Sequence, residues 1–263
     1  MKVTVVIPIG GRVRDHTYLP TLLKNIEDQT IECEVLLISE GSIGYARKVG
    51  VERAKGDIIA MLDSDVTLPS NDWMEKMLVP FEDPEVEIVH TLGTFHKDDP
   101  IVMRFALLTH PYKEGFSAGT GHTLMRKSSI LKYGNFKGVN GCEDRLLIDQ
   151  MKGKQVYMPD LKVYHYHATT IPQYLNKWWR VKVDCDQVAK DYPEARRLSY
   201  KDDDAREYRS RYIRHNVSNF FRALVGKSDS AFLIFPIMAV GIVFAIHIAP
   251  KIWKRQPYTP EME

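Results

Sequence analysis

The chain has 263 residues, of which 44% are hydrophobic and 27% charged, enough for one large globular domain or for a domain with an appendage. Its formal net charge of +2 argues against a general nucleic-acid binder, because affinity for a phosphate backbone requires a clustered positive excess. The three cysteines are too few and too far apart for a disulfide framework or a CxxC metal site, and we interpret them as thiols in a reducing compartment.

Predicted strands alternate with predicted helices in the first hundred residues. Apolar, β-branched runs predict strands at 3–9, 34–39, 57–63 and 86–93. Helical spacing of apolar residues predicts helices at 19–26, at 42–56 and beyond Ser70, which we expect to cap the third helix. Strands that are apolar on both faces and alternate with helices indicate a parallel sheet covered on both sides, with ligands at the carboxyl ends of the strands.

The next part of the chain is richer in glycine and more polar. A strand is predicted at 117–125, a short helix before Gly134, a helix at 143–152 and strands at 155–159 and 162–167. We therefore expect one domain over 1–170, with a nucleotide-binding half at 1–100 and a lid half at 101–170.

The C-terminal part has the composition of a membrane-associated segment. Residues 231–250 contain no charge and, at about 1.5 Å rise per residue, match the ~30 Å hydrocarbon core of a bilayer. They follow a basic, helical extension at 171–230 and precede a tail at 251–263. The alternative is a buried helix of the globular domain. Since the N-terminus lacks a signal-peptide pattern, we expect a cytoplasmic catalytic domain with a C-terminal membrane anchor.

Two carboxylates stand where the third predicted strand ends, in the stretch LDSDV. Asp63 and Asp65 are hard oxygen ligands, spaced so that one or both reach a divalent cation that also binds substrate phosphates. The same residue types also make Asx-turns and helix caps. Their position at a strand end favours the functional interpretation.

Four stretches of the chain, in matching order and spacing over about residues 3–170, resemble the family-2 glycosyltransferases: VTVVIPIGGR, EVLLISEGS, ARKVGVERAKGDIIAMLDSD and GCEDRLLIDQMKGKQVYMPDLKVYHYH. The resemblance implies an α/β protein of GT-A fold, with a Rossmann-like mixed sheet covered by helices. It also implies an inverting, metal-dependent enzyme that uses a UDP- or GDP-linked sugar donor. The acceptor would be a hydroxyl or a polyprenyl or other lipid-linked glycan at the membrane.

The resemblance also assigns roles to single residues. Asp63 and Asp65 would hold Mg²⁺ or Mn²⁺, with His165, or alternatively His167, near the metal or the diphosphate. The same two histidines are equally well interpreted as hydrogen-bonded edge residues of a strand. The residues expected to contact the nucleotide sugar are Pro8, Ile9, Glu40, Arg47, Asp63, Ser64 and Arg180. Ser39 replaces the first of the two acids that the family has beside Glu40, which leaves the choice of base open.

An acidic pair opens the predicted lid helix. By the resemblance, Asp144 is the base that takes the proton from the acceptor hydroxyl, with Glu143 beside it. Both carboxylates would also complement the helix dipole, and the two roles can coexist. Trp178 and Trp179 could stack on an acceptor sugar or lie at a membrane interface. The competing functions are a nucleotidyltransferase on the same fold and a non-catalytic, membrane-tethered module that binds sugar nucleotides or glycans.

Overall fold

The computed structural model describes residues 1–10, 16–108, 120–192 and 203–252, without the side chains of 203–209 and 250. These residues form two compact units. The first contains residues 1–94 and 120–166, and the second contains residues 95–108 and the described part of the chain from 167 onward. The tail predicted at 251–263 therefore lies outside the described residues beyond Ile252, and the strand predicted at 117–125 is described only from residue 120.

The first unit is built on a mixed six-stranded sheet. In chain order the strands are β1 Val3–Pro8, β2 Cys33–Ile38, β3 Ile58–Leu62, β4 Val66–Thr67, β5 Val86–His90, β6 Gly93–Thr94, β7 His122–Arg126, β8 Lys154–Tyr157 and β9 Val163–His165. The large sheet has the order β2-β1-β3-β7-β5-β8. Strands β1, β2 and β3 are parallel, as predicted, whereas β7 is antiparallel to both of its neighbours, β3 and β5.

A second, three-stranded sheet lies at the end of β3. It has the order β4-β9-β6, with β4 antiparallel and β6 parallel to β9. Because β4 follows β3 after a short turn, this small sheet brings the late strand β9 beside the residues that follow β3. This pairing determines where the functional residues lie.

The helices confirm most of the predictions made from helical periodicity in the sequence. In chain order they are α1 Leu19–Glu27, α2 Ile43–Arg53, α3 Trp73–Leu78, α4 Ile101–Leu108, α5 Lys127–Lys132, α6 Glu143–Ile148, α7 Ile171–Asp191, α8 Asp203–Leu224, α9 Phe235–Val243 and α10 Ala249–Ile252. Helix α6 is shorter than predicted. The cap predicted at Ser70 is wrong: Asp72 occupies the N-cap position of α3, and the Ser70 hydroxyl donates to its carboxylate.

Apolar side chains cover both faces of the large sheet. Every residue of β1 is buried, and Val5 packs with Leu62 and Trp73 on one face, whereas Val6 packs with Met61 on the other. Burial on both sides explains why these strands lack the alternation of a half-exposed strand. Cys33 is free, but Cys142 is disulfide-bonded, so the interpretation of the cysteines as thiols is wrong for Cys142.

The second unit is helical. Its apolar core is formed by residues of α4, α7 and the C-terminal helices, including Phe105, Tyr174, Phe235 and Met238. Its Cys185 is disulfide-bonded and is therefore not the thiol that we expected. Within the described residues, one helical segment, Ser230–Ile248, is long and apolar enough to cross a membrane by length and composition alone.

Candidate active site

Asp63 lies at the carboxyl end of β3, held there by backbone hydrogen bonds. Its N–H donates to the carbonyl of Gly121 at 2.9 Å, and its carbonyl accepts from the N–H of Val66 at 3.2 Å. The chain therefore turns sharply between β3 and β4, with Ser64 and Asp65 buried inside the turn. The short turn keeps both aspartates at the edge where parallel strands bind ligands.

His165 completes a cluster with the two aspartates. It faces Val66 across the β4–β9 ladder, and its Nε2 lies 3.3 Å from Oδ1 of Asp65. One ligand atom from each of Asp63, Asp65 and His165 lies within 4.8 Å of the other two. The two carboxylates are donors that suit Mn²⁺ and Mg²⁺, with positions left for water and phosphate oxygens, and the imidazole of His165 lies beside them as a third donor. The residues present therefore fit a divalent cation.

Gly121 and His122 form one wall of this cluster. A Cβ on Gly121 would lie 2.2 Å from Oδ2 of Asp63, so only glycine leaves room for this carboxylate. The ring of His122 contacts that of His165 edge-on at 5.7 Å. Burial lowers the pKa of His122 to about 3, so its imidazole is neutral at ordinary pH. The sequence reasoning missed His122, because this residue begins β7 beside Thr123 and its type alone does not distinguish it.

Arg47 links the cation cluster to the acidic pair. Its guanidinium donates to Oδ1 of Asp63 at 2.8 Å through Nη2 and to Oε1 of Glu143 through Nη1. The residue is only 3% exposed. Burial opposes its charge, but the two carboxylates outweigh burial and raise the pKa of Arg47. The predicted contact of Arg47 with phosphate oxygens thus competes with two contacts inside the protein.

Helix α2 can carry Arg47 to this position because its first turn packs tightly. The side chain of Ser42 caps the helix by accepting from the N–H of Tyr45 at 3.1 Å. A Cβ on Gly44 would lie 2.1 Å from the carbonyl oxygen of Lys137, so the helix touches the loop that precedes α6. This close approach brings Arg47 within reach of Glu143.

The acidic pair opens α6, and its two members differ in environment. Glu143 is buried, and burial raises its pKa to about 7 against the attraction of Arg47. Asp144 is half-buried, and its Oδ1 accepts from the N–H of Arg145 at 2.7 Å. Cys142 precedes them with a φ of 60°, an uncommon backbone conformation for a residue other than glycine. Glu143 is therefore a partner of Arg47, and Asp144 is the more accessible carboxylate.

The other predicted donor contacts in the first unit lie at the ends of neighbouring strands. Pro8 ends β1, and the next residue, Ile9, donates its N–H to the carbonyl of Ile38 at 2.8 Å. Glu40 follows β2, is exposed, and pairs with Arg53 at 2.9 Å. Ile9, Glu40, Asp63 and Asp65 therefore all lie just beyond the carboxyl ends of the parallel strands β1, β2 and β3.

The remaining predicted residues belong to the second unit. His167 has its Nδ1 3.1 Å from Nζ of Lys177, and the ring of Trp178 packs edge-on against Tyr174 at 6.2 Å. Trp179 and Arg180 follow on the same helix, α7. The roles predicted for His167, Trp178, Trp179 and Arg180 stay predictions.

The sequence matches one known family. Residues 14–135 match the family described as Glycosyl transferase family 2. The matched range contains Arg47, Asp63 and Asp65 and ends before Glu143 and His165. No curated protein matches the chain.

Solved structures with a similar fold belong to glycosyltransferases. The mannosyltransferase PcManGT from Pyrobaculum calidifontis, in complex with GDP-Man and Mn²⁺, has a TM-score of 0.58 and 13% identity, covering 97% of this chain and 88% of its own. TarS 1-349 of S. aureus, in complex with UDP-GlcNAc, has a TM-score of 0.51 and 11% identity, covering 94% of this chain and 82% of its own. At these identities the likeness shows a shared fold.

Proposed function

We propose that this chain, whose residues 14–135 match glycosyl transferase family 2 and which has the GT-A fold, transfers a sugar from a nucleotide-diphosphate donor to an acceptor with inversion. One observation carries the proposal. A buried arginine, Arg47, joins a cation-binding cluster to an acidic pair, so the groups needed for the leaving diphosphate and for the acceptor lie side by side.

The donor half of the reaction is proposed at the ends of β1, β2 and β3. Asp63, Asp65 and His165 would hold Mg²⁺ or Mn²⁺, and the cation would offset the negative charge on the departing nucleoside diphosphate. Pro8, Ile9, Glu40 and Ser64 would contact the donor. The two solved relatives bind GDP-Man with Mn²⁺ and UDP-GlcNAc, which supports a GDP- or UDP-linked sugar.

The acceptor half is proposed at the start of α6. Asp144 would accept the proton of the attacking hydroxyl, because it is the more accessible of the two carboxylates. Arg47 would hold Glu143 and Asp63 in fixed positions, acting as a positioning residue. In the second unit, Trp178 and Trp179 would stack on the acceptor sugar, and Arg180 would reach the diphosphate. The apolar segment 230–248 supports an acceptor at the membrane, as in glycolipid or envelope-glycan assembly.

The first test combines donor screening with product identification. Purified full chain is titrated with GDP- and UDP-linked sugars with and without Mn²⁺, and the released nucleotide is identified by chromatography. We expect one donor to bind in a Mn²⁺-dependent manner and to release the nucleoside diphosphate. Release of pyrophosphate would instead indicate a nucleotidyltransferase, and binding without any turnover would indicate a binding module; either result contradicts the proposal.

Asp65→Asn tests the cation cluster within the same assay. Loss of one of two carboxylate ligands should abolish Mn²⁺-dependent donor binding and turnover. The exposed Asp160 provides a matched control, since Asp160→Asn removes the same charge outside the cluster. Equal behaviour of the two variants would remove the cation cluster from the mechanism.

Asp144→Asn tests the acceptor half. We expect the rate with a hydroxyl acceptor to fall about 10²- to 10⁴-fold while donor binding is unchanged. With a polyprenyl phosphate acceptor the attacking oxygen is already anionic, so the loss should be small. Full activity of this variant on a hydroxyl acceptor would contradict the base assignment.

A further inference from the structure

The second unit exposes large hydrophobic side chains that follow helical spacing on two neighbouring segments. On the C-terminal segment, 230–252, side chains separated by three or four residues are all at least 37% exposed: Leu233, Ile237, Val240, Phe244, Ile248 and Ile252. The opposite side of this segment is buried and contains Ala231, Phe235, Met238, Ala245 and Ala249. The segment therefore packs on its own unit by one side only.

Helix α8 repeats this arrangement. Tyr212 and Phe220 pack against the apolar core of the unit, and Asn216 between them is fully buried. One position further along, an exposed apolar row recurs at the same spacing: Ile213, Val217, Phe221 and Leu224. We call this row and the exposed row of 230–252 together the outward apolar face. Exposed apolar rows on two segments that pack on each other indicate an interaction site.

Basic side chains accompany this face. Arg211, Arg214, Arg222 and Lys227 lie along α8 and just beyond it, and residues 210–227 contain no acid. Three of the four are exposed; Arg211 is half-buried. Apolar rows accompanied by the exposed cations Arg214, Arg222 and Lys227 are complementary to an anionic lipid surface, where apolar side chains enter the acyl boundary and cations meet headgroups.

The packing of α7 determines whether segment 230–252 can cross a bilayer or must lie in its plane. Helix α7 packs along 235–252, and at Gly241 an added Cβ would lie only 2.8 Å from Cδ1 of Leu175. Helix α7 carries seven charged residues: Lys177, Arg180, Lys182, Asp184, Asp186, Lys190 and Asp191. If 230–248 crossed the bilayer with this packing intact, α7 would enter the hydrocarbon with it. Charged side chains are strongly disfavoured there.

We propose that the outward apolar face docks on an anionic bilayer, with 230–252 lying in the membrane plane and not crossing it. The inference rests on the second unit alone and is independent of the proposed sugar transfer. It names the partner by its chemistry, an acyl boundary with anionic headgroups.

Vesicle flotation of the full chain tests the docking. Preformed phosphatidylcholine vesicles, with and without phosphatidylglycerol, are mixed with the protein at low and raised salt. We expect binding to the anionic vesicles that weakens with salt. Absence of binding to either vesicle would overturn the proposal.

Variants on the outward apolar face test which residues contribute to membrane binding. Ile237→Asp and Phe221→Asp should each weaken binding at least about tenfold, because a charge replaces a membrane-buried apolar group. Leu131→Asp is the matched control, since Leu131 is 49% exposed on α5 of the first unit. Circular dichroism checks that each variant folds. Equal vesicle binding by all three variants would overturn the proposal. A dimer, detected by sedimentation, would also overturn it if Ile237→Asp dissociated the dimer while vesicle binding persisted.

Depth measurements separate the in-plane arrangement from a span. Tryptophan is introduced singly by Leu233→Trp, Val240→Trp and Ile248→Trp, and its quenching by lipids brominated at shallow or deep positions is read as the difference from the parent protein. We expect similar, shallow depths at all three positions. Deep quenching at position 240 with shallower values at the other two would indicate a span and would overturn the in-plane arrangement.

Discussion

The two compact units depart from the usual distribution of side chains in opposite ways. The first buries charge: Arg47, Asp65 and Glu143 are each less than 5% exposed. The second exposes apolar surface, with Phe221 and Val240 more than 60% exposed. Charged residues are rarely buried unless paired, and extended exposed apolar surfaces are rare in soluble monomers.

We interpret this contrast as the result of two different functions, each of which costs its unit some stability. In the first unit, paired charges are fixed at the ends of parallel strands, where a phosphorylated ligand and its cation would meet them. In the second, apolar side chains are left outside the core, where a lipid surface would cover them. If this interpretation is correct, substitution of a buried charge should lower the free energy of unfolding strongly. Substitution of an exposed apolar group should lower it only weakly.

The largest effect is expected at Arg47. Arg47→Met leaves the buried Glu143 and the partly exposed Asp63 without their cation, and we expect the free energy of unfolding to fall by about 3–5 kcal/mol in a denaturant titration. Arg53→Met on the same helix is the control, because its pair with Glu40 is about half exposed and should be worth less than about 1 kcal/mol. Similar losses for both variants would remove the distinction between buried and exposed charge.

The pH dependence of stability tests the burial of Glu143. Its pKa is raised from 4.5 to about 7, so between these values the native carboxyl keeps a proton that the unfolded chain has lost. The unfolding free energy should therefore fall as pH rises through this window, by up to about 1.4 kcal/mol per pH unit. Glu143→Gln should remove this slope, whereas Glu82→Gln, at an exposed position, should retain it. A slope unchanged in Glu143→Gln would contradict the assignment.

Gly121→Ala tests the wall of the cation cluster with a single methyl group. The added Cβ would displace the carboxylate of Asp63, and we expect Mn²⁺ affinity, measured by calorimetry, to fall about 10- to 100-fold. Gly138→Ala is the control, because its Cβ would lie 3.9 Å from Tyr45, an ordinary contact. Unchanged affinity in Gly121→Ala would show that the position of Asp63 does not govern cation binding.

The smallest effect is expected at Val240. Val240→Ser should change the unfolding free energy by less than about 0.5 kcal/mol, because its side chain is already in solvent. Met238→Ala, two residues away on the same helix but fully buried, should cost about 2–5 kcal/mol. If Val240→Ser were as costly as Met238→Ala, the face would belong to the core of the unit.

The sequence was sufficient to predict those parts of the site that lie directly after a single strand. Strands β1 and β3 are apolar on both faces, which predicted their burial, and the acids after β3 follow directly in the chain. The edge strand β2 differs, because it exposes Val35 and Leu37. Strand direction was not predictable, because a buried strand such as β7 has the same residue pattern whether it runs parallel or antiparallel. The family resemblance, which implied a mixed sheet, supplied what periodicity lacked.

Contacts between distant residues were beyond the sequence reasoning. Arg47 and Glu143 are 96 positions apart, and an arginine on a helix gives no sign of being buried. The resemblance alone left His165 and His167 as alternatives, and pairing of β9 with β4 brings His165 to the aspartates. His122 was missed because its position depends on another long-range pairing, that of β7 with β3, in which it faces Leu62.

The small sheet has a consequence for how the chain folds. Thr67 and Tyr166, which meet across it, are 99 positions apart, so β9 pairs with β4 only after a long loop has closed. Contacts of such high sequence separation slow folding. A cation that binds Asp65 and His165 together would bind only chains that have completed this closure, and it would stabilise them by mass action. Manganese uptake during refolding would therefore report when this long-range pairing has formed.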